Sequence, residues 1–273
     1  MKINIYILPL LLLLTVVSCK KDDPKPEEQE KPQLIIGGVT DNNLYKVDMY
    51  ANDSLFVGYN KLYLEIKQQS NNQSISSGSI KLKPLMDMDL SNPGTMKHTS
   101  PSEAPEDNVN EDNYFEGAVV FVMPSMSSTE WYLTVVADAT AGKDSIKFTL
   151  PKIAHKKEPR LINIRKDMQS PPYFISIIEP SDPTVGINEF VVCAHKKESM
   201  MSFPAVETMK FNIEPRMPSM GHGSPNNEDP VHTSNGHYKG QVNFNMTGWW
   251  RINVDIYDGS TLISDTTYFD ITF

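Results

Sequence analysis

The chain has 273 residues, of which 39% are hydrophobic and 22% charged, a balance typical of a globular protein rather than a disordered one. Its 20 prolines and 14 glycines separate short apolar runs, which favours an all-β fold. A formal net charge of −9 argues against nucleic acid as a partner, because no basic stripe is available to neutralise phosphates.

The N-terminus carries an export signal. It reads MKINIYILPLLLLLTVVSC, with one positive residue, an apolar run and a small residue before a cysteine. The run is too short for a spanning helix, so residues 1–18 are predicted to be a signal peptide. The tetrapeptide VVSC (16–19) resembles the lipobox of bacterial lipoproteins. That resemblance implies lipidation of Cys19, and an ordinary cleaved signal with an incidental cysteine is the alternative.

A charged, proline-containing stretch follows Cys19 and predicts a flexible linker, so that residues 19–32 would comprise the lipidated cysteine and its tether. A lipid anchor holds a protein to a membrane without spanning it. We therefore expect a protein of the cell envelope, anchored in the outer membrane, with its periplasmic and surface faces both left open. The membrane is thus the first predicted partner.

An internal repeat organises the remaining residues. Four segments of the first half recur in the same order in the second half: VGYN as VGIN, KPLM as EPRM, MKHTSP as MGHGSP, and WYLTVV as WRINVD. The segment YFEGAVVFVM (114–123) also matches YKGQVNFNM (238–246) with one residue of slip. The repeat predicts two domains, at 33–152 and 156–273.

Both copies alternate apolar and polar residues with a period of two, which is typical of strands with one buried face. In the second copy, Val242, Phe244 and Met246 share one face, and the run from Trp250 to Ile256 continues the alternation. We therefore predict two tandem immunoglobulin-like antiparallel β-sandwiches. The disulfide of antibody domains is not expected, because Cys193 is the only cysteine besides Cys19.

Methionine and histidine gather in equivalent loops of the two copies. Thioether and imidazole ligands suit copper, above all Cu(I). Core filling is the interpretation we favour for Met123 and Met246, because both lie in phase with the buried face. The second loop is the better candidate, because it combines Met-x-x-Met-x-His with two further histidines. The predicted ligands are Met217, Met220, His222, His232, His237 and Met246 in the second copy, and Met86, Met88, Met96 and His98 in the first.

The second copy also carries a longer pattern, M-P-x-M-G-H followed by G-x-Y-x-G-x-V-x-F-x-M-x-G-x-W. This pattern resembles the YtkA-like and FixH-like β-sandwich domains. The resemblance implies an extracytoplasmic domain associated with copper or other cation handling, often near respiratory oxidases. The first copy departs from the pattern, because an insertion interrupts its Met-His loop and the glycine before Trp131 is missing.

Common catalytic motifs such as G-x-S-x-G and H-E-x-x-H do not occur in the sequence, which favours a protein that is not an enzyme. We expect a lipid-anchored copper-binding protein that handles copper or delivers it to a membrane partner. One alternative is a surface module for adhesion, glycan binding or protein binding, for which an exposed Trp249 would be the sign. Another is an accessory factor for a membrane oxidase or transporter.

Overall fold

The computed structural model describes residues 31–273, of which 32–273 form one compact unit. The predicted signal peptide, Cys19 and linker residues 19–30 lie outside the described residues. Every regular element of the described part is a β-strand, which confirms the all-β prediction. Among residues 31–273 no helix is long and apolar enough to span a bilayer.

The first sandwich packs a sheet of order β1-β2-β3-β7-β6 against a sheet of order β5-β4-β8-β9, and every pairing is antiparallel. Its strands in the described part of the chain are β1 (Gln33–Val39), β2 (Tyr45–Ala51), β3 (Gly58–Gln68), β4 (Ser79–Asp87), β5 (Lys97–His98), β6 (Ser102–Glu103), β7 (Phe115–Phe121), β8 (Glu130–Ala139) and β9 (Gly142–Thr149).

The second sandwich repeats this order strand for strand, with sheets β10-β11-β12-β16-β15 and β14-β13-β17-β18. The shared order is what the internal repeat predicts. Its strands within residues 31–273 are β10 (Leu161–Ile164), β11 (Tyr173–Glu179), β12 (Gly186–Lys196), β13 (Met209–Met217), β14 (His222–Gly223), β15 (Glu228–His232), β16 (His237–Phe244), β17 (Trp249–Asp258) and β18 (Thr261–Thr272).

Each sandwich encloses its own hydrophobic core between its two sheets. The alternating residues predicted to face inward are buried, and Trp131 and Trp250 occupy equivalent central positions with no exposed surface. Met246 departs from this pattern, because its side chain is 37% exposed although it lies in phase with the core. Cys193 is buried as a free thiol.

The shared Val-Gly-x-Asn motif forms the entry to β3 and to β12. Gly58 and Gly186 have φ values of 132° and 113°, which L side chains rarely adopt. The Asn60 amide then bonds the backbone N–H and carbonyl of Phe56 and the carbonyl of Gly58. Asn188 makes the equivalent set of bonds. The motif is therefore a structural turn that fixes where each strand begins.

Strand register shows how the two copies of the β7 segment correspond. Gly58 pairs with Phe121, and Gly186 pairs with Phe244. Phe115 is therefore equivalent to Tyr238, and the two segments align without the one-residue slip of the sequence comparison. This register also makes Met123 the counterpart of Met246, two residues after the equivalent phenylalanines.

Candidate functional site: two Met–His clusters

The repeat builds the same cluster at one end of each sandwich. The first Met–His cluster consists of Met86, His98 and Met123, and the second consists of Met217, His222 and Met246. In both, a two-residue strand brings the histidine beside the first methionine: β5 pairs His98 with Met86, and β14 pairs His222 with Met217. The short strands therefore explain why residues far apart in the loops become neighbours.

A buried tryptophan holds the remaining methionine in each cluster. The Trp131 indole N–H donates to the Met123 carbonyl at 3.1 Å, and the Trp250 indole donates to the Met246 carbonyl at 3.0 Å. Each indole also packs edge-to-face against the cluster histidine, with ring centroids 5.1 Å apart for His98 and 6.1 Å apart for His222. The tryptophan thus fixes the position of both the methionine backbone and the imidazole ring.

In the first cluster the imidazole touches the thioether. His98 is buried, its Nδ1 lies 2.7 Å from the Thr99 carbonyl oxygen, and its Nε2 lies 2.9 Å from Met123 Sδ. Burial is the main cause that lowers the pKa of His98 below its ordinary value. The positive charge of Lys197 adds to that effect, and the Thr99 carbonyl opposes it without cancelling it.

A neutral imidazole carries one N–H. His98 can therefore donate a hydrogen bond either to the Thr99 carbonyl oxygen or to the Met123 sulfur, but not to both. We assign the proton to Nδ1, because a carbonyl oxygen accepts hydrogen bonds more strongly than a thioether sulfur does. The lone pair of Nε2 then faces the lone pairs of the Met123 sulfur. A soft cation that accepts both lone pairs would satisfy this contact, and the carbonyl bond to Nδ1 orients the ring as it does in known metal sites.

The second cluster has the same plan but is more open. His222 Nδ1 lies 3.0 Å from the Gly223 carbonyl, so that this ring too is anchored by the next residue and presents Nε2. Met217 is buried in the core, whereas Met246 is 37% exposed and Met220 is 61% exposed. The second copy, favoured by its sequence pattern, therefore has the more solvent-accessible donors.

Other predicted ligands lie elsewhere in the second sandwich. His232 pairs with Tyr238 next to His237 at the start of β16, whereas the second cluster lies beyond Phe244 at its end. Six residues of strand separate these ends by roughly 20 Å. His237 Nε2 instead lies 2.6 Å from a Glu103 carboxylate oxygen. The structure therefore does not bring His232 or His237 to Met217 and His222.

The remaining predicted ligands belong to the loop of the first copy. Met88 is partly buried against the core of the first sandwich, and its backbone N–H bonds the Met96 carbonyl. Met96 itself is exposed at the loop surface. Met88 therefore lies near the first cluster, whereas the Met96 side chain points to solvent.

The first cluster opens onto a cavity of about 260 Å³ between the two sandwiches. Met88, His98 and Met123 line it from the first sandwich, and Met200 and Phe203 line it from the second. The Thr99 N–H donates to the Met200 carbonyl across this junction at 2.9 Å. Sequence reasoning missed Met200, for which the repeat offers no counterpart, and it treated Met123 as core.

A second set of polar groups crosses the junction between the two sandwiches. Glu103 of the first sandwich accepts a hydrogen bond from Tyr59 at 2.8 Å and one from His237 of the second sandwich at 2.6 Å. Burial alone would raise the pKa of Glu103, but these hydrogen bonds and the charge of His237 outweigh it and lower the pKa. Neighbouring His195 is buried, and its Nδ1 has no hydrogen-bond partner within residues 31–273.

The donors of the two Met–His clusters are soft or borderline. In the described part of the chain, no three side chains of the types His, Cys, Asp and Glu are grouped so that they could hold a metal. The first cluster combines one neutral imidazole with thioethers, a donor set that fits Cu(I) better than Zn²⁺, Mg²⁺ or Ca²⁺. Neither cluster contains a nucleophile or an acid–base pair.

Residues 167–255 match the YtkA-like family model, which confirms the YtkA-like part of the sequence resemblance. The match covers the second sandwich from β11 into β17. No curated protein matches the chain. The solved structure of FdeC, described as a broadly conserved Escherichia coli adhesin, is similar to this chain at 12% identity with a TM-score of 0.25. The similarity covers 86% of this chain and 65% of the FdeC chain.

Proposed function

We propose that this protein is a lipid-anchored protein of the cell envelope that binds Cu(I) at its two Met–His clusters, and that it stores copper or delivers it to a membrane partner. The observation that carries the proposal is the contact at 2.9 Å between His98 Nε2 and Met123 Sδ, which hold no proton between them when the imidazole N–H is assigned to Nδ1. The equivalent pairing of His222 with Met217, beside the Trp250 ring, adds support.

In the first cluster, His98 Nε2 and Met123 Sδ would hold the ion, with the sulfur of Met86 beside them. In the second, His222 Nε2, Met217 and Met246 would do so, with Met220 as an exposed donor. When bound, Cu(I) supplies a soft acceptor for nitrogen and sulfur lone pairs. The Thr99 and Gly223 carbonyls keep each Nδ1 protonated and so direct Nε2 toward the ion.

The charge around the first cluster favours a monovalent ion. The cavity lining contains no carboxylate, and it includes the cationic side chains of Arg165 and Lys197. Each positive charge repels a divalent ion twice as strongly as a monovalent one. We therefore expect Cu(I) and Ag(I) to bind more tightly than Zn²⁺.

The test is a competition titration of the protein with Cu(I) under reducing conditions, against a chromophoric Cu(I) chelator. Met123→Leu removes the sulfur at nearly constant volume, and Met126→Leu is the matched control, because Met126 is exposed. We expect Met123→Leu to weaken binding at one of two sites by at least about tenfold, the lower end of the range for lost support at metal sites. Equal affinity in both variants would refute the assignment of the first cluster.

The lipid anchor is tested separately. Cys19→Ala removes the thiol that would be acylated, so the protein should move from the membrane fraction to the soluble fraction when cells are lysed and centrifuged. Cys193→Ala is the control, because this thiol is buried in the second sandwich. Retention of Cys19→Ala in the membrane fraction would contradict lipid anchoring through this residue.

A second candidate function, surface recognition, is favoured by an aromatic patch on the outer face of β17 and β18. Trp249 and Tyr268 are both exposed, and the Arg251 guanidinium lies over both rings, 5.4 Å and 3.6 Å from their centroids. Flat aromatic groups of this kind are common anchors in protein recognition. If the patch binds a glycan or protein ligand, Trp249→Ala should abolish retention on an array of such ligands and leave Cu(I) affinity unchanged.

A further inference from the structure

Met200 enters the cavity beside the first cluster from the second sandwich. It belongs to the connection between β12 and β13, where a turn is closed by the Glu198 N–H bonding the Ser202 carbonyl. The turn places two methionines in sequence but gives them different surroundings. Met200 lines the cavity, whereas Met201 does not and is 59% exposed.

One residue of the first sandwich connects Met200 to the histidine of the cluster. The Thr99 carbonyl accepts the His98 Nδ1–H at 2.7 Å, and the Thr99 N–H donates to the Met200 carbonyl at 2.9 Å. The Thr99 hydroxyl donates to the Pro84 carbonyl at 2.7 Å and fixes this residue against β4. The orientation of the imidazole is therefore tied to the backbone of Met200 in the other sandwich.

We propose that the Met200 thioether completes the first Met–His cluster from the second sandwich, so that Cu(I) bound there clamps the two sandwiches together. This inference rests on the proposed Cu(I) function and adds a ligand and a conformational consequence to it. The methionine side chain has three rotatable bonds, and the cavity of about 260 Å³ leaves space for its sulfur to turn toward His98 and Met123.

The clamp would make the two clusters release copper in different ways. β12 runs from the Gly186–Phe244 pair, at the end that carries the second cluster, to Lys196, at the end that faces the junction. The first cluster is therefore covered at the junction, whereas the second lies at the other end of β12. Copper at the first cluster would be retained until the junction opens, whereas copper at the exposed second cluster would exchange directly with a partner.

The experiment uses the full chain with His222→Ala, which removes the imidazole of the second cluster, so that the first cluster is the tighter site. Met200→Leu is compared with the matched control Met201→Leu by Cu(I) competition titration. We expect Met200→Leu to weaken Cu(I) binding by about tenfold or more and Met201→Leu to change it by less than about twofold.

The second readout is hydrogen exchange of the Thr99 amide, which is bonded to Met200 across the junction. Cu(I) should slow this exchange in the Met201→Leu protein and should slow it much less in the Met200→Leu protein. If Met200 has only a structural role, Met200→Leu should change the exchange rate of the Thr99 amide in the absence of copper but should leave the Cu(I) affinity unaltered.

The outcomes separate the two proposals. If Met200→Leu and Met201→Leu bind Cu(I) equally while His98→Ala loses binding, Met200 is not a ligand and the clamp is refuted, but the copper function stands. If His98→Ala in the His222→Ala background also binds Cu(I) as tightly as the His222→Ala parent, the first cluster is not a Cu(I) site and the proposed function fails there. Slower Thr99 exchange with Cu(I) in both methionine variants would likewise overturn the part played by the Met200 sulfur.

Discussion

Acidification should destabilise this protein through His195, a buried histidine at the junction. The ring lies on β12, is almost inaccessible to solvent and has an unpartnered Nδ1 within the described residues. Burial lowers the pKa of His195 to about 4; the negative charge of Glu103 opposes this effect, and the positive charge of His237 reinforces it. In the unfolded chain the same ring takes up a proton near its ordinary value of 6.5.

The direction and size of this pH effect follow from the difference in proton binding between the folded and the unfolded chain. Between pH 6.5 and about 4 the unfolded chain binds the proton and the folded chain does not, so lowering the pH favours unfolding. Each unit of difference between the pKa of His195 in the unfolded chain and in the folded chain is worth about 1.4 kcal/mol. His195 should therefore contribute a loss of about 3 kcal/mol in the free energy of unfolding as the pH falls from 7 to 4.

The assay is urea denaturation at several pH values between 7.5 and 4. His195→Leu fills the site with an apolar group, and His155→Leu is the control, because His155 is exposed. The wild type and His155→Leu should lose about 3 kcal/mol more than His195→Leu. Parallel pH profiles for all three would refute the reasoning.

Three further predictions concern the turns, a close backbone contact and the first cluster. Asn60→Ala removes three hydrogen bonds from a buried turn, so we expect a loss of about 3 kcal/mol in urea denaturation; a loss below about 1 kcal/mol would contradict this role. In Gly240→Ala the added Cβ would lie 2.3 Å from the Glu228 carbonyl oxygen, so β15 must shift at a cost of about 1–3 kcal/mol; unchanged thermal stability would show that the strand yields freely. Because burial lowers the pKa of His98, Cu(I) affinity at the first cluster should stay constant from pH 7.5 to 6.5 and fall only at lower pH; a fall of about tenfold per pH unit starting near 6.5 would contradict this.

The fold was predictable from sequence because its main signals are local and are repeated. Alternation with a period of two marks strands that bury one face, and the two copies of Val-Gly-x-Asn mark equivalent strand entries. The strand register adds what the pattern left ambiguous, namely that Phe115 corresponds to Tyr238. Met246 shows the limit of periodicity, because its phase indicates the core while its position beyond the end of β16 exposes it.

The candidate site was only partly predictable. The sequence identified Met86 and His98, and also Met217 and His222, because each pair recurs at similar spacing in both copies. It grouped His232 and His237 with the second pair because they are near in the chain. His232 ends β15 and His237 begins β16, so both lie at the opposite end of the sandwich, where His237 binds Glu103 instead. Proximity in sequence does not fix which end of a strand a residue occupies.

The sequence by itself determined the all-β class, the duplication and the soft character of the loop donors, since each depends on residue types at short, repeated spacings. Only the tertiary structure decided that His98 and Met123 touch, that tryptophans hold both clusters, and that Met200 of the second sandwich faces the first cluster. These contacts join residues from different strands, and in the last case from different sandwiches. They depend on strand pairing and on how the two sandwiches pack against each other, which no local pattern encodes.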